Sequence, residues 1–132
     1  MKTHSSDIGY LPAISVGTLG VFFLIWAAMH DIARSHGPAP VEFALLACCP
    51  PALALLARSA MRCLRPKERL LWLGATALLL TLFHMAAIAA VLQPKYARDT
   101  AAGAGWLCAG LPALAWIGHR LWRESAATRK IR

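Results

Sequence analysis

The sequence is poor in charge and poorer still in carboxylates: 15% of its 132 residues are charged, and six Asp and Glu stand against fourteen Lys and Arg. So little charge beside 58% hydrophobic residues excludes a soluble domain of this size and makes a bilayer the solvent for most of the chain. The four cysteines, Cys48, Cys49, Cys63 and Cys108, have no CxxC spacing, so neither a disulfide framework nor a zinc ribbon is encoded. No Gly-rich phosphate loop, zincin helix or catalytic-triad signature is present, and the carboxylates are dispersed near the ends of apolar runs. A net charge of +8 does not imply nucleic acid, because the basic residues lie in short connections and tails rather than on a soluble face.

What the chain does have is long apolar runs. Leu70 to Leu92 carries 23 residues without a formal charge, and His84 is its only titratable side chain. At 1.5 Å per residue such a run is about 34 Å long, enough to cross a hydrocarbon core of about 30 Å. Three more runs suit spanning helices, and together the expected helices cover about 11–30, 41–60, 69–93 and 101–122, with a polar, basic tail over 123–132. Ala27-Ala28-Met29-His30 offers no small-x-small cleavage site, so the first span is expected to be retained. Ala13, Gly17 and Gly20 recur at helical spacing on it, a face another helix can approach. Pro50 and Pro51 lie mid-way through the second span, which is expected to bend or open at Cys48 to Pro51.

Lys and Arg set the orientation. Eleven of them fall at the N-terminus, between 58 and 69, and at the C-terminal end, whereas three fall in the other two connections. The positive-inside rule then places both termini in the cytoplasm. With connections this short, the expected fold is all-α, an up-down antiparallel bundle of four transmembrane helices, N-in and C-in, in a bacterial cytoplasmic (inner) membrane. The basic end is expected to meet anionic lipid head groups.

Two groups of residues carry candidate chemistry. His84, Cys48 and Cys108 share a level near mid-membrane, and Gly74, Ala77, Thr81, His84 and Ile88 form a small, polar stripe expected to face the bundle interior. His84 is expected to donate to a carbonyl near Pro50 or to meet a cysteine sulfur. A Zn or Cu site, or a thiol redox centre, is the alternative, since imidazole and thiolate are suitable ligands. At the outer surface His30, Asp31, His36 and Glu42 fall within 13 residues and offer imidazole and carboxylate ligands, in a spacing that matches no established motif. The paired Cys48-Cys49 in an apolar helix resembles the cysteine pairs of mercury-uptake membrane proteins. The likeness covers only that pair and a few flanking residues, without a second pair, and implies no activity here.

The leading functional expectation is a non-enzymatic subunit or accessory factor of a membrane assembly, with no cofactor and with another membrane protein as partner. The rival is a carrier or handler of a metal ion or small solute.

Overall fold

The structure is a computed structural model that describes residues 4–131, with side chains described from 10 to 130. Lys2 and Arg132, two of the charges that set the expected orientation, lie outside the described residues. Among the described residues there are four helices and no strand: α1 (His4–Arg34), α2 (Pro40–Cys63), α3 (Pro66–Leu92) and α4 (Asp99–Ile131). All four are long and apolar enough to cross a membrane.

Local chemistry explains the helix starts. Pro40 and Pro66 occupy the first helical positions of α2 and α3, where a missing N–H costs nothing and a fixed φ is already helical. Glu68 sits three residues after Arg65 and accepts the Arg65 backbone N–H at 3.1 Å, closing the entry to α3.

The helices outrun the apolar stretches that mark them in the sequence. α1 continues past residue 30 to Arg34, because Ile32 and Ala33 are still core residues, and Gly37-Pro38 then prevents further extension. α4 does not stop at 122. Residues 119–131 contain neither glycine nor proline, and the Thr128 hydroxyl donates to the Glu124 carbonyl at 2.9 Å, so the basic tail stays helical to Ile131. Nor does α2 open at its prolines: it is one continuous helix through Cys48 to Pro51. Proline's φ is helical, and in lipid every remaining backbone bond is worth keeping, so the helix forgoes two bonds rather than unravel.

α3 packs most extensively on α4, and α1 on α2; α4 also reaches α1 and α2, whereas α3 touches α1 and α2 only sparsely. α3 and α4 approach closely at Gly103 of α4, where a methyl group would lie 2.5 Å from the Ala87 carbonyl oxygen of α3. Of the small residues on α1, Gly17 is the one against a neighbour, its missing Cβ lying 3.1 Å from Leu56 of α2; Gly20 faces open space and Ala13 is exposed.

The buried face of α3 is Trp72, Leu73, Thr76, Leu80, His84 and Ala87. The stripe expected from the sequence is therefore displaced by one position around the helix. Thr81 and Ile88 are exposed, and the Thr81 hydroxyl is satisfied by the Ala77 carbonyl at 2.8 Å on its own helix. In place of Thr81, Trp72 makes the polar contact between helices: its indole N–H donates to the Thr18 hydroxyl of α1 at 3.0 Å, and that hydroxyl donates to the Ile14 carbonyl at 2.7 Å. Away from the core, Arg34 donates to the Tyr96 hydroxyl at 3.0 Å, while Arg69 donates to the Met61 carbonyl at 3.4 Å and lies 4.0 Å from Glu124.

Candidate functional site

His84 is buried, as its place in an apolar run implies, but its partners differ from those expected. Nδ1 lies 2.6 Å from the Leu80 carbonyl, one turn back on α3, so this nitrogen carries the hydrogen and the bond stays within the helix. The ring packs against α4, its centroid 5.3 Å from that of Trp106 at 56°. Gly110 makes room for both rings: a methyl group there would come within 2.7 Å of Trp106 and 3.0 Å of His84. His84 Nε2 and Trp106 Nε1 are both buried without a hydrogen-bond partner. In the neutral ring Nε2 is then a lone-pair acceptor.

The cysteines do not join His84. Cys48 and Cys108 are exposed, and Cys49 is the buried member of its pair. Successive helical residues turn about 100°, so Cys48 and Cys49 cannot share one face. All four cysteines are free thiols.

The outer cluster is also distributed. His30 stacks on Trp26 at 5.2 Å and 25°, and its Nδ1 is 4.0 Å from Asp31, beyond hydrogen-bond length. His36 borders a separate depression with Arg34 and Tyr96, and Glu42 is half-buried in the first turn of α2. Among the described residues, no three His, Cys, Asp or Glu side chains gather where they could hold a metal ion.

Two concavities stand out in their place. One is a groove of about 270 Å³ between α2 and α4, walled by Pro50, Pro51, Pro112 and Trp116. The other is a crevice of about 210 Å³ between α1, α3 and the start of α4, lined by Trp26, His30, Phe83, Ala86, Tyr96 and Asp99 among others. Asp99 is 8% exposed, and one of its oxygens accepts the backbone N–H of Tyr96 at 2.8 Å as well as that of Lys95. In the sequence Asp99 reads only as a polar residue of the last connection; the sole signal for its role is a carboxylate at the end of a short turn, where a side-chain oxygen can take up the turn's backbone N–H groups.

In comparisons with known proteins, no family model, no curated protein and no solved structure matches this chain.

Proposed function

We propose that this protein is a non-enzymatic subunit or accessory factor of a larger membrane assembly, and that it docks another transmembrane helix in the groove between α2 and α4. The observation that carries the reading is the concentration of three prolines there. Pro50 and Pro51 deprive the carbonyls of Leu46 and Ala47 of their helical donors, and Pro112 does the same to Cys108. Among the described residues, no backbone N–H of another helix reaches these three oxygens. The groove is walled by apolar side chains, and its proline rings give a partner helix a rigid surface to pack against.

The test is photo-crosslinking in native membranes from Ala54, an exposed residue lining the groove, with Val16, which is 69% exposed on α1, as the control. The expected product forms from position 54 alone and maps by mass spectrometry to an apolar segment of another protein. Adducts to lipid only, or to a second copy of this chain, would overturn the proposal.

The same reading takes the helices as an up-down antiparallel bundle with both termini in the cytoplasm of a bacterial cell. It is supported by the charge bias and by the two polar links far apart on α3: Arg69 with Met61 and Glu124 at its start, and Arg34 with Tyr96 beyond its end. Exposed Arg58, Arg62 and Lys67 then face anionic head groups. A reporter fused at Ser35 is expected to be external and one after Arg69 cytoplasmic; a cytoplasmic signal at Ser35 is incompatible with this arrangement.

A further inference from the structure

We propose that the crevice between α1 and α3 binds the head of a membrane-dissolved hydroquinone, a neutral ring bearing hydroxyl groups, with its apolar tail left in the bilayer. α1 and α3 barely touch, and this crevice is where they part. Its walls are aromatic: the stacked Trp26 and His30 on α1, Phe83 on α3 and Tyr96 above them, with Ala86 leaving room between. Flat surfaces of this kind favour a flat ligand. About 210 Å³ is below the range of about 300–1,000 Å³ typical of drug-sized sites, and suits a single substituted ring whose tail lies outside. Trp26 is 53% exposed on the outward side of α1, so the opening faces the bilayer, from which an apolar ring enters.

Polarity then selects the ring's substituents. Both backbone bonds to Asp99 fall on Oδ2, and Oδ1 makes none, although the side chain is more than nine-tenths buried. Oδ1 keeps accessible surface and has no donor among the described residues, so it is free to accept a hydroxyl from a ligand in the crevice it borders. His30, also lining the crevice, can accept or donate at its ring nitrogens. A hydroxyl directed at Asp99 Oδ1 and a second oxygen substituent near His30 satisfy both. An organic cation meets the carboxylate but not the rest of the site: the Arg34 guanidinium already covers the Tyr96 ring at 5.1 Å, and its charge opposes a second cation. The proposal concerns binding alone and includes no electron transfer.

The experiment uses the full chain in detergent micelles and a decyl-tailed dimethoxy-methyl hydroquinone, with its quinone form as the second probe, binding being measured by equilibrium dialysis. The expected result is saturable binding of about one hydroquinone per chain, weakened more than tenfold by Ala86→Phe, which fills the crevice. Asp99→Asn is the more discriminating variant. Its amide oxygen can still accept the Lys95 and Tyr96 N–H groups, while its NH2 replaces an acceptor with a donor, so preference should shift at least tenfold from hydroquinone toward quinone. Circular dichroism and gel filtration confirm that each variant is folded. Binding that is indifferent to Ala86→Phe, an unchanged hydroquinone-to-quinone ratio in Asp99→Asn, or tetraphenylphosphonium binding where hydroquinone does not, each overturns the proposal.

Discussion

Gly103→Ala is expected to destabilise the protein by about 1–3 kcal/mol, at the upper end of that range, by forcing α4 away from α3. In an exposed helix interior the same substitution would gain about 1 kcal/mol from propensity. Here the new methyl group meets the Ala87 carbonyl oxygen at 2.5 Å and Val91 at 2.9 Å. Val91 can turn, but the carbonyl belongs to the α3 backbone and is held by the helix, so relief requires the two most extensively packed helices to separate. His84 and Trp106 lie along the same seam, and the loss should reach them. The measurement is reversible unfolding in mixed micelles, with Gly118→Ala as the reference, since a methyl group at Gly118 on the same helix meets nothing within 4 Å. Gly118→Ala is expected to be neutral or mildly stabilising. Equal behaviour of the two variants would mean that α3 and α4 do not approach as described.

Different physical features of the sequence carry different parts of this architecture. The four spans are legible because a bilayer imposes a length and an apolar composition that few other contexts demand. Their ends are less so: nothing in 119–131 stops a helix, so α4 continues where the apolar run ends. The inward face of α3 is not legible either. That helix is apolar all round, and in lipid the usual contrast between a buried apolar face and a wet polar one is lost, so Thr81 looks as suitable for the interior as Thr76. Depth along a helix axis can be counted from sequence, and it places His84, Cys48 and Cys108 at one level. Azimuth depends on packing, and it turns the two cysteines outward. The sequence points His84 to a carbonyl near Pro50 or to a cysteine sulfur, yet the Leu80 carbonyl one turn back on its own helix takes up Nδ1. Trp106 and Gly110, which enclose the imidazole, are recognisable only once α4 is seen against α3.

Asp99→Ala is expected to cost about 2 kcal/mol, within the range for loss of hydrogen bonds to a charged acceptor. The carboxylate fixes the turn between α3 and α4 by accepting two consecutive backbone N–H groups, those of Lys95 and Tyr96, while its own N–H donates to the Tyr96 carbonyl at 3.2 Å. It also places a negative charge in the first turn of α4, where the helix dipole favours one. Lys95 and Tyr96 are themselves exposed, so water can partly replace the lost acceptor, which keeps the cost below that of two fully buried orphan donors. Because Tyr96 also receives the Arg34 hydrogen bond, loosening the turn should free the end of α1 as well. Hydrogen exchange reads this locally: the Lys95 and Tyr96 amides should exchange at least tenfold faster in Asp99→Ala, with Ser35 following and Trp72 unaffected. Asp99→Asn retains an acceptor oxygen and should keep most of the protection. If both variants leave these amides protected, the carboxylate does not hold the turn, and its buried position would have to be explained by the crevice alone.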